Sequence, residues 1–316
     1  MPESITKLLT ADKAGVSLAA NILREGHLVA FPTETVYGLG ADARNDQAVA
    51  RVYEAKGRPN FNPLIVHIAD LDAARQLAAF GQLAERLANA FWPGPLTLVV
   101  PLKPNAAISA LVSAGLSTVA IRVPEHPLAQ DLLAEFAGPI AAPSANASGK
   151  VSPTKAEHVM AGLAGRIAAV LDGGKCGVGV ESTIVSCGAT ATLLRPGGLP
   201  VEAIEDCLHQ PLAMVGERTV PNAPGQLVSH YAPDAPLRLN AVIRETDETL
   251  LGFGAVDSDL NLSLSGDLVE AAANLFHYLR VLDNAQATKI AVSPIPNHGL
   301  GRAINDRLQK AAAPRP

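Results

Sequence analysis

Two cationic side chains, Lys56 and Arg58, flank a glycine, and this pair is where the sequence first suggests chemistry. The pair lies in the stretch 31–67, in which a polar loop, two glycines and a short helix separate two apolar strands. Because the chain carries a net charge of −5, a local group of cations indicates an anion site. A nucleotide phosphate is the anion that we expect. Taken alone, however, the pair is better explained as the solvated end of a helix, where positive charge is favoured.

Polar loops that follow predicted strands supply the other groups that a nucleoside triphosphate needs. Ligands of open α/β sheets gather at such strand ends. Arginine offers planar bidentate donors, lysine offers a point charge, and small residues let backbone N–H groups approach a phosphate closely. Arg122 and Arg195 each lie at the end of a predicted strand. The polar loops span residues 32–38, 56–62, 142–149 and 177–183.

Each of the other polar residues that stand out also has an ordinary structural explanation. Ser144 and Asn146 suit a common turn, and His67, within a predicted strand, suits a hydrogen-bonded core position. Arg122 and Arg195 each suit a pairing with a surface carboxylate. The histidine and tyrosine of the proline-rich segment suit simple packing. Only their occurrence together indicates a site. The residues concerned are Ser144, Asn146, His67, Arg122, Arg195, His230 and Tyr231.

The standard nucleotide and metal motifs do not occur in the sequence. Val151 follows Gly149 and Lys150, so no P-loop is formed, and the glycine pairs at 38–40 and 252–254 lack the third glycine of a dinucleotide fingerprint. No HExxH, spaced acidic Ca²⁺ loop, GxSxG or CxxC is found. The expected anion site must therefore be built from loops that are distant in sequence.

Composition limits the class of protein. With 316 residues, 48% of them hydrophobic and 17% charged, two domains are expected. The acidic balance and an aromatic content of 4% argue against a surface that coats nucleic acid or stacks many bases. Three cysteines without paired spacing fit buried residues in a reducing compartment, and neither a signal peptide nor a membrane-spanning run is found. We therefore expect a cytoplasmic protein with no membrane partner.

The elements that must position these residues alternate between apolar runs and helical patterns, which predicts an α/β sheet. The spacing before the cationic pair predicts a helix that Asn45 or Asp46 caps and Gly57 ends. Thr154 and Glu157 have the spacing of a capping box at the start of another helix. A helix is predicted over 71–90, and strands over 28–31, 64–68, 96–100, 118–123, 139–142, 168–171, 182–186 and 192–195.

Proline density marks a boundary towards the C-terminus. Residues 221–236 contain four prolines, which predicts an extended connection. We therefore expect a first domain over 1–211, a linker over 212–236 and a small α/β domain over 237–316. Within the last, strands are predicted over 237–243, 249–254, 260–264 and 288–293, and helices over 266–282 and from about 300 onwards.

A set of short segments occurs in the order and spacing of the YrdC-like domain, namely TETVYGLG, KGRPNFNPLIVH, PGPLT, IRVP, PSAN, ESTIV and LLRPG. With HYAP in a proline-rich linker and a further C-terminal domain, the chain resembles the two-domain form of the threonylcarbamoyl-AMP synthase family. The resemblance covers residues 10–236 and is weaker over 237–316. It implies a twisted mixed α/β sheet with a positively charged concave face and a smaller Rossmann-like domain. It also implies a linker that crosses the mouth of the active site.

The resemblance implies a nucleotidyltransferase that makes threonylcarbamoyl-AMP and pyrophosphate from L-threonine, bicarbonate and ATP. The product would serve the t⁶A modification of tRNA through a downstream threonylcarbamoyl transferase complex. Mg²⁺ would accompany ATP by bridging its phosphate oxygens, and no protein ligand is expected for it. A weak contact with tRNA is left open.

The resemblance also carries residue roles onto this sequence by position. The residues with an expected catalytic role are Lys56, Arg58, Ser144 and Asn146. The expected ATP contacts are Lys56, Arg58, Asn62, Thr118, Ser144, Ser152, Arg195, His230 and Tyr231. The expected threonine contacts are Thr35, His67, Arg122 and Ser182. We further predict that the linker folds over ATP as a lid.

Two other functions compete with this interpretation. The first is an RNA-binding module that uses a cationic face for double-stranded RNA or tRNA without turnover. The second is a hydrogenase-maturation carbamoyltransferase, which would need additional acylphosphatase-like and zinc-finger segments. This chain has neither the length nor the CxxC pairs for those segments. Dependence of pyrophosphate release on both threonine and bicarbonate separates the three.

Overall fold

Short apolar strands and the helices that cover them make up the described part of the chain. The structure, a computed structural model, describes residues 5–59, 61–214, 229–285 and 287–314. Residues 215–228, which form much of the predicted linker, lie outside the described residues. None of the helices in the described ranges is both long and apolar enough to cross a membrane.

Eleven strands within the described residues form one mixed sheet. They are β1 (Lys7–Leu9), β2 (Val29–Phe31), β3 (Gly38–Asp42), β4 (Ile65–His67), β5 (Leu96–Pro101), β6 (Thr118–Arg122), β7 (Ile140–Ala141), β8 (Ala169–Leu171), β9 (Thr183–Cys187), β10 (Ala191–Arg195) and β11 (Ala213–Met214). Their order is β1-β8-β2-β3-β7-β4-β6-β5-β9-β10-β11. Strand β6 pairs with β4 in parallel and with β5 in antiparallel orientation, so the predicted mixed α/β sheet is confirmed.

Helices bury one face of this sheet and, on the other, the part formed by β1, β2, β7 and β8, because the strands there are apolar on both sides. They are α1 (Lys13–Arg24), α2 (Asp46–Lys56), α3 (Leu71–Leu77), α4 (Gln82–Phe91), α5 (Pro127–Phe136), α6 (Ala156–Leu163) and α7 (Val201–Leu208). Leu23 of α1 and Leu132 of α5 pack on one face, whereas Val52 of α2, Leu87 of α4 and Ile204 of α7 belong to the core on the other. The predicted burial of the three cysteines is confirmed for Cys176 and Cys187, whereas Cys207 is only half-buried.

Helix α2 begins and ends as its sequence predicts. The Asn45 side chain accepts hydrogen bonds from two backbone N–H groups of the first turn. Gly57 ends the helix in the left-handed conformation, with φ 61°, which glycine adopts without a steric penalty. This termination places Lys56 in the last helical turn and Arg58 just beyond it.

The helix predicted over 71–90 is instead two helices, α3 and α4. Between them, Ala78 forms an isolated antiparallel bridge with Leu102, and the Ala79 N–H donates to the Pro101 carbonyl at 2.9 Å. These contacts with a distant segment satisfy the backbone groups that a continuous helix would have paired internally. The helical periodicity alone contained no sign of them.

The capping box predicted at Thr154 and Glu157 is wrong. Helix α6 begins one residue later than that spacing requires, after Lys155, whose side chain makes no capping hydrogen bond. The Thr154 backbone N–H donates instead to Nδ1 of His158 at 3.2 Å, one turn into the helix. A histidine therefore fixes this helix start.

A second, smaller sheet follows the linker. Its elements are β12 (Leu237–Arg238), β13 (Glu248–Gly252), β14 (Leu260–Asn261), α8 (Leu268–Asn284), β15 (Lys289–Val292) and α9 (Gly301–Ala312). The strands are all parallel, in the order β12-β15-β13-β14, which gives a second α/β unit. The strand predicted over 237–243 is shorter because Asn240 turns the chain with φ 56°.

The second unit lies against two of the predicted polar loops of the first. Gly179 has φ 78°, and a Cβ atom at this position would lie 2.4 Å from Cα of Ala273 on helix α8. Only glycine permits this approach. Near the end of the linker, the Ala232 backbone N–H donates to the Gly149 carbonyl at 2.9 Å. Helix α8 and the end of the linker therefore close one side of the loop cluster.

Candidate functional site

A pocket lies where the polar loops, the ends of β4, β6 and β10, and the linker meet. Predicted residues that line it are Thr35, Arg58, His67, Arg122, Ser144, Ser182, Arg195, His230 and Tyr231. The structure thus brings together residues from both expected sets, the ATP contacts and the threonine contacts. Thr33, Val36 and Glu181 also line the pocket.

Arg122 is held rigidly at one end of the pocket. Its Nη1 donates to Thr35 Oγ1 at 2.8 Å and its Nε to the Gly94 carbonyl at 3.2 Å. Nη2 forms an ion pair with Glu34. His67 stands beside Arg122 in the register of β4 and β6, and burial together with the Arg122 charge lowers the pKa of His67 to about 3. Arg122 is only 3% exposed, so its interpretation as a surface pair is wrong.

Arg58 and Arg195 are two more buried guanidinium groups in the pocket wall. Arg58 donates to the carbonyls of Asn62 and Pro63 at 3.2 and 3.0 Å. Arg195 donates to the carbonyl of Ser182 at 2.8 Å. Burial lowers the pKa of Arg58 to about 10 and also lowers that of Arg195. A bound anion would offset this cost of burying charge.

Lys56 does not form a solvated helix end, because only 3% of it is exposed. Its Nζ donates to the carbonyl oxygens of Ser144, at 2.6 Å, and of Asn146. The Asn146 amide in turn donates to the Lys150 carbonyl at 2.8 Å. Burial, reinforced by the charge of Arg58, lowers the pKa of Lys56 well below its ordinary value. Lys56 and Asn146 therefore order the loop that presents Ser144 to the pocket.

Besides Lys56, three expected ATP contacts, Asn62, Thr118 and Ser152, lie outside the lining of this pocket. The Ser152 hydroxyl donates to Glu181 Oε1 at 2.5 Å. Asn62 is fully buried, and its amide group has no hydrogen-bond partner within the described part of the chain. Thr118 begins β6 on the same face as Arg122, about 13 Å away, because side chains alternate along a strand. Thr118 thus lies towards the opposite end of that sheet face, whereas Asn62 adjoins the pocket through Arg58, which donates to its carbonyl.

The second unit holds the histidine and tyrosine of the linker against the pocket. The backbone N–H of His230 donates to the Lys310 carbonyl on α9 at 3.1 Å. The Tyr231 ring stacks on Phe276 of α8, with ring centroids 5.6 Å apart. Burial lowers the pKa of His230 to about 3. Both side chains are therefore fixed partners of the site, and their interpretation as linker packing alone is incomplete.

The charges gathered at the pocket and its supporting loop explain what it can bind. The cations are Lys56, Arg58, Arg122 and Arg195, and the carboxylates are Glu34 and Glu181. Cations outnumber carboxylates in a region that is largely shielded from water, where electrostatic interactions are stronger than at a surface. The arrangement suits a ligand with several negative charges and can stabilise charge that develops during a reaction.

Two residues of this region were not predicted from the sequence. Glu181 belongs to a predicted polar loop, and Arg307 lies on α9 and is fully buried. Arg307 occupies the apolar face of its helix together with Ile304, Leu308 and Ala311. An arginine within an apolar stripe is a signal that could have found it, because a charge there needs a buried partner.

We expect the protein to lose stability as the pH falls from 7 to 5. Burial lowers the pKa of His67 and His230 to about 3 and that of His158 to about 4, from an ordinary value of 6.5. The unfolded chain then binds protons that the folded state rejects, so stability is full above about pH 6.5 and declines below it. The expected loss is about 2 kcal/mol per histidine, measurable by urea unfolding at both values of pH.

The variant His158→Gln tests this prediction at one position. His158 and Nδ1 of His277 on α8 lie within hydrogen-bond distance, at 3.3 Å, so the pair joins the two units. The variant is expected to lose less stability than wild type between pH 7 and pH 5, by about 2 kcal/mol. An unchanged pH dependence in the variant would contradict the assignment.

Family comparisons cover nearly the whole chain. Residues 21–197 match a family model described as telomere recombination, the Sua5, YciO and YrdC group. Residues 199–313 match the threonylcarbamoyl-AMP synthase C-terminal domain. Threonylcarbamoyl-AMP synthase of Bacillus subtilis (strain 168) is 45% identical, over 98% of this chain and 96% of the relative. That of Pyrococcus abyssi is 42% identical, over 95% and 94%.

Solved structures agree with these matches. The crystal structure of P. abyssi Sua5 complexed with L-threonine superposes with a TM-score of 0.90 at 40% sequence identity, covering 98% of this chain and 97% of that chain. Escherichia coli YciO covers 61% of this chain with a TM-score of 0.56 at 21% identity, which shows a shared fold for the first unit. The two-unit arrangement is therefore shared with Sua5.

Proposed function

The chain belongs to the threonylcarbamoyl-AMP synthase family, and we propose that its pocket joins L-threonine, bicarbonate and ATP into threonylcarbamoyl-AMP and pyrophosphate. The enzyme is then a nucleotidyltransferase, acting in the cytoplasm. One observation carries the proposal, namely that Arg58, Arg122 and Arg195 are buried together around one pocket while Lys56 orders its wall. Two anionic substrates must lie side by side in this reaction, and they would repel each other without such cations.

In the proposed reaction, the threonine amine first combines with carbon dioxide derived from bicarbonate to form a carbamate. A carbamate oxygen then attacks the α-phosphorus of ATP, the bond to the β,γ-phosphates breaks, and pyrophosphate leaves. No covalent enzyme intermediate is required. The protein contributes by holding the two reactants in line and by neutralising charge on the phosphates.

Threonine occupies the Arg122 end of the pocket in this proposal. Arg122 would hold the substrate carboxylate, because its guanidinium is fixed in orientation by Thr35 and Gly94. The hydroxyl groups of Thr35 and Ser182 offer contacts to the amino acid. The low pKa of His67 keeps its imidazole neutral, so it can accept or donate a hydrogen bond without adding charge.

ATP extends from this end along the sheet face. Arg58 and Arg195 would neutralise its phosphates, and the loop ordered by Lys56 would offer the Ser144 hydroxyl and backbone N–H groups. Asn62 adjoins Arg58, and its buried amide, which has no hydrogen-bond partner among the described residues, suits a polar group of the nucleotide. Thr118, at the start of β6, would contact ATP farther from Arg122, and Ser152 would act through Glu181.

Mg²⁺ accompanies ATP in this proposal. Glu181, which lines the pocket, is paired with Arg307, and Glu34, just outside the lining, is paired with Arg122. The pocket carboxylates are thus poor candidates for metal ligands, and we assign the ion to phosphate oxygens and water. When bound, the ion would neutralise charge on the triphosphate.

We expect Tyr231→Ala to raise the KM for ATP by about tenfold or more, since Tyr231 lines the pocket and its removal uncovers the bound nucleotide. This prediction assumes that the linker acts as a lid over ATP. Residues 229–236 of the linker lie in the described part of the chain. Initial rates at varied ATP concentration measure the effect. Val242→Ala, at a position of the second unit that is 82% exposed, is the control. Unchanged turnover and ATP affinity would rule out the lid.

Pyrophosphate release from ATP tests the proposed function directly. The rate should depend on both L-threonine and bicarbonate, and mass spectrometry should identify threonylcarbamoyl-AMP as the product. Adding the product to a threonylcarbamoyl transferase complex and tRNA tests the downstream step. Binding of RNA without any threonine-dependent turnover would favour the RNA-binding module instead.

A further inference from the structure

The last helix of the second unit inserts a buried cation next to the pocket. Arg307 of α9 is fully buried, and its Nε donates to Glu181 Oε2 at 2.7 Å. Its Nη1 donates to the Pro196 carbonyl at 3.0 Å and contacts Asp306. The guanidinium also lies over the Tyr231 ring, 5.1 Å from its centroid. One side chain of the second unit therefore contacts three parts of the first unit and linker.

Glu181 is the partner that gives this contact a functional meaning. It lines the pocket, and its Oε1 accepts a hydrogen bond from Ser152. Burial by itself raises the pKa of Glu181, but the charges of Arg307 and Arg195 and these hydrogen bonds outweigh it and lower the pKa to about 2. Glu181 is therefore an anion inside a pocket that must receive a triphosphate.

We propose that Arg307 is a positioning residue for ATP binding. It neutralises Glu181 and orients Tyr231, so the second unit supplies a charge on which the site of the first unit depends. The proposal rests on the proposed function, in that ATP is the ligand. Arg307 acts through Glu181 and Tyr231 and is not assigned a contact with the reacting atoms.

A buried ion pair of this kind is poorly explained by stability alone. Well-packed apolar side chains usually stabilise a buried position as well as an ion pair does. The contact also spans two units that already share an apolar cluster, in which Val36 and Val180 of the first belong with Phe276 of the second. Loss of Arg307 alone, in contrast, would leave Glu181 unpaired beside the phosphates, where it would repel them.

The test is a double-mutant cycle of Arg307→Met and Glu181→Gln, with the KM for ATP and direct ATP binding by calorimetry as readouts. Methionine keeps much of the aliphatic volume of arginine and removes its charge. We expect Arg307→Met to weaken ATP binding by about tenfold or more. Adding Glu181→Gln to that variant should restore most of the loss, because the unpaired charge is gone.

Arg302→Met is the matched control. Arg302 lies on the same helix and pairs with Glu202 of the first unit at 3.2 Å, but both side chains are about two-fifths exposed, at 38% and 41%. This variant should bind ATP as wild type does, since exposed ion pairs contribute little. If Arg307→Met does not fold, Arg307→Gln replaces it in the cycle with the same expected loss. Arg307→Lys keeps the charge but not the planar stacking on Tyr231, so it should recover part of the ATP binding.

The proposal is overturned if the double variant binds ATP as poorly as Arg307→Met, since the role would then be packing. It is also overturned if Arg307→Lys loses as much affinity as Arg307→Met. Should wild type bind ATP but release no pyrophosphate with threonine and bicarbonate, the proposed function fails. Calorimetry on the same variants would still test Arg307 in that case.

Discussion

Arg58→Ala is expected to reduce ATP-dependent pyrophosphate release by about a hundredfold or more while the protein stays folded. Arg58 is buried in the pocket wall, and two carbonyl oxygens fix its guanidinium in place. The alanine variant lacks this positive charge, and water that enters the space cannot neutralise the phosphates as the guanidinium does. Initial rates of pyrophosphate release, with circular dichroism to verify folding, measure the outcome.

Arg51→Ala is the control for this prediction. Arg51 lies on the same helix, α2, and donates to the Gly26 carbonyl at 2.6 Å, outside the lining of the pocket. It should leave the rate within about twofold of wild type, as expected for a surface substitution. A wild-type rate for Arg58→Ala would refute the phosphate assignment.

Arg122→Ala is expected to lower kcat/KM for threonine by about a hundredfold or more, with ATP binding nearly unchanged. Its guanidinium is the fixed cation at the threonine end of the proposed site, and alanine offers no donor to the substrate carboxylate. The informative result is the difference between a large effect on threonine and a small effect on ATP. Initial rates at varied threonine and saturating ATP, together with calorimetric ATP binding, measure it.

Arg122→Lys and Arg44→Ala complete this experiment. Lysine retains the charge and keeps Glu34 paired, so it protects the fold, but it lacks the planar geometry and should recover only part of the activity. Arg44, 42% exposed and paired with Asp42 at 2.8 Å, should have no effect when removed. An unchanged KM for threonine in Arg122→Ala would refute the assignment, and equal losses for both substrates would indicate general disruption.

Local signals in the sequence were sufficient for most elements. The cap at Asn45 and the left-handed Gly57 depend on residues within one helix turn, so the bounds of α2 could be predicted. The apolar runs likewise predicted most strands of the large sheet to within a residue or two. The segments that carry the family resemblance were local too, and the resemblance is confirmed by the family and structural matches.

The errors lie where a distant segment intervenes. The helix predicted over 71–90 is interrupted because Ala78 pairs with Leu102, and the capping box at Thr154 is replaced by a hydrogen bond to His158. In both cases the competing partner satisfies backbone groups that the local pattern had assigned elsewhere. Periodicity and capping rules count only near neighbours, so they could not anticipate either contact.

The sequence by itself determined which residues end the strands, where the cationic turn lies and which family the chain belongs to. The tertiary structure alone decided which loops meet, that Lys56 is buried, and that Arg307 reaches Glu181, 126 positions earlier in the chain. The reason is physical. Strand ends and turns follow from local dihedral preferences and periodicity, whereas the pairing of buried charges depends on the spatial approach of elements with no periodic relation in sequence.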